Sequence, residues 1–437
     1  MKKKIDVNKV NLRLDLYPRL KVVDSKVQEY KEVLSLLPLI IVNQDNILID
    51  GAHRLQAFKD TKQKEIEVEI IHTKDDDDIL LKAIELNAKH GFQLTRQEKR
   101  KQVISLYQKI LKGESKSFDV NRLKETFSIP NSTFSDWTKD LNDSLEAQLL
   151  EKILNLHLQC KTQEEIAEIV GITQKQISIK IDEITKNIKI LYQNPISEIG
   201  IKYEFLREKM EVLAEFKPQL YNIWNISKMN NETSHFGNVP VEFQENLLYY
   251  YTKPFDVIYD PFGGGGSTID ACEKFFRKYC VYDRLPKETR PEIKKWDIKE
   301  GLPKDLPNNI KLVYLDPPYW KQAEGKYSKD KDDLANMDLE KFYSSLVMFV
   351  KNVKKKLVNN GKIALIIGAS QWCVKDYERI DHIIDLIEVI KKLGFKVQQR
   401  FVCPYNSEIY NGNQVNIAKE KKICLNIYRD LVVFEKI

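Results

Sequence analysis

The chain has 437 residues, 42% of them hydrophobic, enough material for the cores of about two to four domains. Lys and Arg total 70 against 64 Asp and Glu, and a net charge of +6 excludes an overwhelming basic field. The cysteines at 160, 272, 280, 373, 403 and 424 show no CxxC or His spacing, no signal peptide is evident and no apolar run is long enough for a bilayer, so a cytoplasmic protein without disulfides, zinc or membrane contact is expected.

From the N-terminus, Leu39-Ile40-Ile41-Val42 reads as a strand and Asn43 to Asn46 as a turn. A second strand, Ile47-Leu48-Ile49, ends in Asp50-Gly51-Ala52-His53-Arg54. A helix over Leu55 to Phe58 and the alternating strand Ile66-Glu67-Val68-Glu69-Ile70-Ile71 follow, and Asp75 to Asp78 reads as a charged loop. The strings IDGAHRLQAFK (49–59) and KAIELNAKHGFQLTRQEKR (82–100) resemble the N-terminal, sulfiredoxin-like domain of the ParB family. That resemblance implies a nucleoside triphosphate partner, with Gly51 and Arg54 in the glycine-arginine box and Glu85 and Asn87 near the helical box. His53 departs from the family's paired arginines. Capping of a turn by Asp50 and His53 is the alternative reading of the same residues.

Residues 95–195 read as helical, with two helix-turn-helix patterns. In KTQEEIAEIVGITQKQISIKIDEI (161–184), Thr162 caps the first helix with Glu165 as its capping-box partner. Ile166, Ala167 and Ile169 are expected to face inward, with Gly171 at the turn and Ile172 packed before the second helix. That helix presents Gln174, Lys175, Gln176, Ser178 and Lys180, side chains suited to phosphates and base edges of duplex DNA. The other pattern runs from Val120 to Leu141, with Ser128-Ile129-Pro130 as the turn and Ser132, Thr133, Ser135 and Lys139 exposed. Plain helix packing is the competing account of both.

Residues 255–267, FDVIYDPFGGGGS, join the apolar strand Val257-Ile258-Tyr259 to Asp260-Pro261-Phe262, four glycines and a helical stretch from Ser267. Consecutive glycines are entropically costly on folding and imply unusual backbone angles or close approach to a ligand. Strand, glycine loop and helix N-terminus together make a cofactor cradle. The next strand, Lys278 to Tyr282, ends in Asp283, placed where nucleotide-binding sheets grip a ribose diol. A dinucleotide fingerprint is the rival reading, although GxGxxG is not cleanly present.

A third apolar run, Lys311 to Leu315, ends in Asp316-Pro317-Pro318-Tyr319-Trp320. Prolines cannot donate to a ladder, so the strand stops there. A carboxylate, rigid carbonyls and an aromatic ring then stand at the edge where open α/β sheets bind ligands. The set suits methylation of an exocyclic amine on a nucleobase, a nitrogen whose lone pair is delocalised into the ring. Hydrogen bonds from its two N–H groups to Asp316 and the Pro317 carbonyl favour an sp³-like nitrogen, and Tyr319 can stack on a base taken out of the helix. A Pro-rich turn is the bland alternative.

With both motifs in view, residues 221–437 resemble the amino-methylating DNA methyltransferases of the N4-cytosine/N6-adenine type. Asp260, Phe262, Gly263 and Gly265 match that family's cofactor motif, and Asp316, Pro317, Pro318 and Tyr319 its catalytic DPPY. The resemblance implies S-adenosylmethionine as cofactor and no metal. It puts His235, in the segment Ser234 to Pro240, at the methionine end, Asp260 and the glycines on the methionine moiety, Asp283 on the ribose and Asp297 on the adenine.

Beyond Trp320 come a polar stretch (321–338), a helix from Leu339 to Leu357, the strand Lys362 to Ile367, and a last antiparallel pair, Lys396 to Phe401 and Cys424 through Phe434. No segment is long enough for a separate target-recognition domain, leaving the N-terminal half, the loops at 321–338 and 403–420, or a partner to read the site. The expected fold is α/β, a Rossmann-like S-adenosylmethionine-dependent methyltransferase sheet (196–437) preceded by a ParB-like α/β domain (1–94) and an all-α helix-turn-helix region (95–195). The expected function is site-specific methylation of adenine N6 in double-stranded DNA, as in restriction-modification. Cytosine N4 methylation, an RNA methyltransferase, and a ParB-like partition or regulatory DNA-binding protein with a vestigial methyltransferase domain are the alternatives. A homodimer is left open.

Overall fold

The computed structural model describes residues 1–18, 22–89, 94–114, 118–193, 203–226, 239–371, 379–404 and 410–437. The chain forms two compact units, Met1–Glu146 and Ala147–Ile437.

In the first unit, strands β1 (Lys2–Asp6), β2 (Ile40–Val42), β3 (Leu48–Asp50) and β4 (Glu65–Ile70) form a sheet of order β1-β4-β2-β3. β4 runs antiparallel to β1 and parallel to β2, and β2 and β3 form a hairpin. Helices α1 (Asp24–Glu32) and α2 (Ala52–Asp60) accompany this sheet, whose core holds Val7, Ile40, Val42, Leu48, Leu55 and Val68. The alternation in EIEVEI explains β4: Ile66 and Val68 are buried while their glutamate neighbours are exposed. The expected charged loop at Asp75–Asp78 is instead mostly the first turn of α3 (Asp76–Lys89). Carboxylates are favoured there by the helix dipole, and the Asp78 N–H donates to the Asp75 side chain at 2.8 Å. Helices α4 (Arg96–Leu111), α5 (Val120–Phe127) and the start of α6 (Asn131–Leu158) close a second core around Val103, Leu106, Leu123, Phe127 and Trp137. Ser128 ends α5 in the left-handed region, the turn that the 120–141 pattern predicts.

The second unit is built on seven strands: β5 (Val257–Asp260), β6 (Lys278–Asp283), β7 (Lys294–Lys295), β8 (Ile310–Leu315), β9 (Leu357–Gly368), β10 (Phe395–Pro404) and β11 (Tyr428–Lys436). Their order is β10-β11-β9-β8-β5-β6-β7, with β5 to β9 mutually parallel and β11 antiparallel to both β9 and β10. This is an open, doubly wound α/β sheet. Strand order reverses between β5 and β8, which makes the gap at their carboxyl ends the switch point where such sheets bind ligands. Continuous apolar strands follow from burial on both faces. Alternation sorts them: Ile258, Leu312 and Tyr314 enter one core, while Val257, Tyr259, Val313 and Leu315 enter the other.

The first of these cores also holds helices α7 (Gln163–Val170) and α8 (Gln174–Gln193), through Ile166, Ile177, Ile181, Ile184 and Ile188. The 161–184 helix pair therefore belongs to the same compact unit as the large sheet. It is fastened by Arg277, which is 2% exposed and donates to the Tyr192 hydroxyl at 2.8 Å, the Thr252 hydroxyl at 2.8 Å and the Thr252 carbonyl at 2.9 Å. Thr162 and Glu165 form the expected capping box, and Gly171 takes the expected left-handed turn. Ile169 departs from expectation: it is 47% exposed, because the buried stripe of this short helix passes through Ile166 and leaves Ile169 on its outer face.

Helices α9 (Glu204–Ala214), α10 (Val241–Tyr251) and α11 (Ser267–Lys274) precede or follow β5, and α12 (Leu339–Val353) and α13 (His382–Lys392) flank β9. Two further expectations are corrected. The last strand begins at Tyr428 and not at Cys424, and the expected loop at 403–420 contains the helix α14 (Gly412–Lys421), whose N-cap Asn411 and Gln414 form a capping box. Among the described residues no helix is long and apolar enough to cross a membrane.

Candidate active site

Asp260, the last residue of β5, is 2% exposed and spends both carboxylate oxygens inside the fold. The Phe262 N–H donates to one at 2.8 Å and the Thr268 hydroxyl to the other at 2.5 Å. Burial pushes its pKa up to about 7 against the pull of those bonds, and the carboxylates of Asp316 and Asp283 add to the rise. Asp260 thus ties the strand end to the first turn of α11 and shapes the glycine loop between them. Gly263 donates to the Tyr282 carbonyl at 2.7 Å, so close to β6 that a Cβ on it would meet the Val281 side chain at 2.5 Å. Gly266 sits at φ +91°, where only glycine is unstrained. These contacts hold the loop against β6.

The next corner is built around Asp283 at the end of β6. Its carboxylate accepts the Gly264 N–H at 2.9 Å and the Leu285 N–H at 2.8 Å. Asp297 accepts the Lys299 N–H at 3.0 Å and pairs with the Arg284 guanidinium at 3.3 Å. Arg284 reaches in addition to Asp333 at 3.2 Å and to Asp330, so one side chain joins the Asp297 corner to the polar stretch 321–338.

Asp316 stands just beyond β8, across the switch point from Asp260. Burial pushes its pKa up to about 7, while the Arg429 guanidinium and the Tyr319 hydroxyl favour its anion. Arg429, 7% exposed, opens the antiparallel strand β11, whose first residues lie at the carboxyl edge of the parallel strands. Trp320 turns away into the fold: its indole N–H donates to the Met337 carbonyl at 2.9 Å and its ring stands edge-on to His382.

One cavity of about 800 Å³ unites these groups. Asp260, Phe262, Gly263, Gly265, Asp283, Asp297, Asp316, Pro317, Pro318 and Tyr319 all line it, and Trp320 does not. Its size suits a nucleoside-sized cofactor together with a base. His235 lies outside the described residues; Val239 and Pro240, from the end of the same segment, line the wall. Sequence reasoning missed Arg429, Arg284 and Tyr327, which line the cavity as well. A signal existed for Arg429, a charge inside the apolar run of β11, but its antiparallel direction was needed to place it.

Other expected site residues lie elsewhere. On α8, the Gln174 amide donates to Glu164 at 2.5 Å, and Gln176 caps the helix reciprocally with Thr173. Lys175 is exposed, and Ser178 and Lys180 are half-buried. In the first unit, Arg54 pairs with Asp50 and donates to the carbonyls of Pro38 and Leu39 at 2.9 and 2.8 Å. His53 accepts the Val23 N–H at 3.0 Å, Gly51 is held at φ +107°, and Glu85 reaches Arg122 at 4.0 Å. Asn87 is on α3, with its side chain outside the described residues. His53 and Arg54 thus make their hydrogen bonds within the first unit. No group of metal-ligating side chains occurs among the described residues.

Residues 161–294 match a family model described as DNA methylase. The match takes in α7, α8, the glycine loop and Asp283, and ends before Asp297 and Asp316. No curated protein sequence matches the chain. Among solved structures it is similar to TTHA0409 of Thermus thermophilus, described as a DNA modification methylase, at 18% identity and a TM-score of 0.22, over 32% of this chain and 48% of that one. A SAM-dependent methyltransferase from Archaeoglobus fulgidus is 15% identical, with a TM-score of 0.29 over 44% of this chain and 93% of that one. TrmN from Thermus thermophilus is 15% identical, with a TM-score of 0.28 over 46% and 50%. The chain thus spans about half the length of the first and third of these.

Proposed function

We propose that this chain is an S-adenosylmethionine-dependent DNA methyltransferase acting on an exocyclic base amine, with adenine N6 as its target. The observation that carries the reading is the pairing of Asp260 and Asp316 at the carboxyl ends of adjacent strands, in one cavity with the glycine loop. The residues fit the cofactor: a glycine at 263 that no larger residue can replace, an acidic corner at Asp283, and an apolar slot beside Phe262, Trp296 and Ile298. Bound there, S-adenosylmethionine supplies a methyl group already activated on a sulfonium, so no metal or covalent intermediate is required.

The chain's own work is positioning and proton handling. Asp316 accepts one N–H of the target amine and the Pro317 carbonyl the other, which frees the nitrogen lone pair. With a pKa near 7, Asp316 can also take the proton that the nitrogen loses. Tyr319 stacks on the extruded base, and the helix pairs α5–α6 and α7–α8 grip duplex phosphates, with Lys175 on the exposed face of α8. Both targets are exocyclic amines needing two acceptors. In the family that the chain resembles, aspartate at the head of the catalytic motif is more usual for adenine N6, which supports adenine, whereas a tryptophan after the tyrosine, here Trp320, also occurs among the cytosine-N4 enzymes.

Incubation with labelled cofactor and either duplex DNA or RNA, followed by nucleoside mass spectrometry, tests this reading. N6-methyladenine in DNA is expected. N4-methylcytosine overturns the choice of atom, label in RNA alone overturns the substrate, and no transfer overturns the activity.

A further inference from the structure

A chain of hydrogen bonds behind the catalytic segment has no part in the chemistry above. His382, the first residue of α13, is fully buried, as is Ser370 just beyond β9. The Ser370 hydroxyl donates to the Trp320 carbonyl at 2.8 Å and meets His382 Nε2 at 2.8 Å. On the other side of the ring, His382 Nδ1 meets the Tyr343 hydroxyl at 2.9 Å, and Tyr343 reaches the exposed Asp385 carboxylate at 2.9 Å. We propose that His382 is a positioning residue for the catalytic segment, acting through Ser370 on the backbone carbonyl of Trp320.

Proton counting sets the direction of the chain. A hydroxyl has one hydrogen. If Ser370 gives its own to Trp320, it must accept from His382, so Nε2 carries the imidazole proton. Burial lowers the His382 pKa to about 4, against the pull of Asp385 and Asp381, and the neutral ring leaves Nδ1 to accept from Tyr343. Every buried group is then satisfied, and the Tyr343 hydroxyl gives up its bond to the exposed Asp385. The reversed chain, with Tyr343 donating to Asp385 and Nδ1–H to Tyr343, turns the Ser370 hydroxyl toward Nε2 and away from Trp320. The tautomer of one histidine therefore decides whether Ser370 holds this carbonyl.

The carbonyl matters because of its neighbours. Trp320 O also accepts the Gln322 N–H at 2.7 Å, and the Gln322 side chain donates to the Ala369 carbonyl at 2.6 Å. The peptide between Trp320 and Lys321, one residue beyond Tyr319, is thus pinned to the segment that follows β9. Releasing it frees the backbone that carries Tyr319 and the Pro317 carbonyl, and small misplacements of such groups cost rate more than affinity.

The inference rests on the proposed methyl transfer, and two measurements on the full chain keep the two apart. Nitrogen NMR of the imidazole, which needs no activity, should show His382 protonated on Nε2 alone; protonation on Nδ1, or on both nitrogens at neutral pH, overturns the proposal. In kinetics, Ser370→Ala and His382→Phe should lower kcat at least tenfold, with cofactor affinity within twofold of wild type. His382→Gln, whose amide N–H can replace Nε2–H, should recover most of the loss. A kcat within twofold for both disruptive variants overturns the proposal, as does a loss that tracks melting temperature and is not relieved by Gln. Wild-type protein that transfers no methyl to any nucleic acid refutes the proposed function alone, leaving the NMR result to judge the positioning role.

Discussion

The N–H of Gly264 donates to the carboxylate of Asp283 at 2.9 Å, tying the glycine loop after β5 to the end of β6. The residue expected to grip the ribose is therefore also the one that fixes the loop beneath it. Replacing Asp283 with Ala should weaken cofactor binding by about 1–3 kcal/mol, the scale of a lost charged acceptor. Asp283→Asn, which keeps one acceptor oxygen, should lose less. Calorimetry with S-adenosylmethionine checks both, and equal affinity for Ala and wild type would move the ribose contact elsewhere.

Asp316→Asn should abolish methyl transfer and leave cofactor binding nearly intact. The same change should stabilise the fold at alkaline pH. Burial raises the folded pKa of Asp316 to about 7, above its unfolded value. Its stabilising contribution is therefore full below the unfolded pKa and is lost as pH rises through the folded one. Above pH 7 the neutral amide should be the more stable by roughly 1–3 kcal/mol. Thermal melts at pH 5 and pH 8 check the sign, and a variant less stable than wild type at pH 8 contradicts it.

Activity itself should fall on the acid side with an apparent pKa near 7 in the free enzyme, because the protonated carboxyl can no longer accept the amine N–H or take its proton. Arg429→Met removes the cation that favours the Asp316 anion. The acid limb of kcat/KM should then move to higher pH, and activity at pH 7 should drop several-fold more than at pH 9. A parallel loss at both values would assign Arg429 to packing alone.

A fragment starting at Ala147 should fold, whereas one starting near Ile196 should not. The shorter fragment lacks α8 and uncovers the core residues that Ile177, Ile181, Ile184 and Ile188 bury. It also leaves Arg277 without the Tyr192 hydroxyl. Circular dichroism and solubility of the two fragments decide the point; a soluble, cooperatively melting 196–437 fragment would contradict it.

The parts of this protein that local chemistry dictates were legible in the sequence. Apolar runs buried on both faces gave away β5, β6 and β8, the glycine run marked a loop with unusual backbone angles, and the prolines after Asp316 marked a strand end. Capping at Thr162 and the turn at Gly171 were legible for the same reason, since each depends on neighbours a few residues away. Whatever depends on strand direction and distant contact had to wait for the packed chain. The antiparallel course of β11 brings Arg429 to Asp316, 113 positions earlier by number (429 − 316). The isoleucine stripe of α8 says that one face is covered, but not that the covering surface is the seven-stranded sheet. Asp260 looked like a ligand contact and also bolts the fold together, because Thr268 faces it once α11 has folded back. The line from Trp320 through Ser370 and His382 to Tyr343 had no signature at all, since four residues from four separate segments meet only when β8, β9, α12 and α13 pack together.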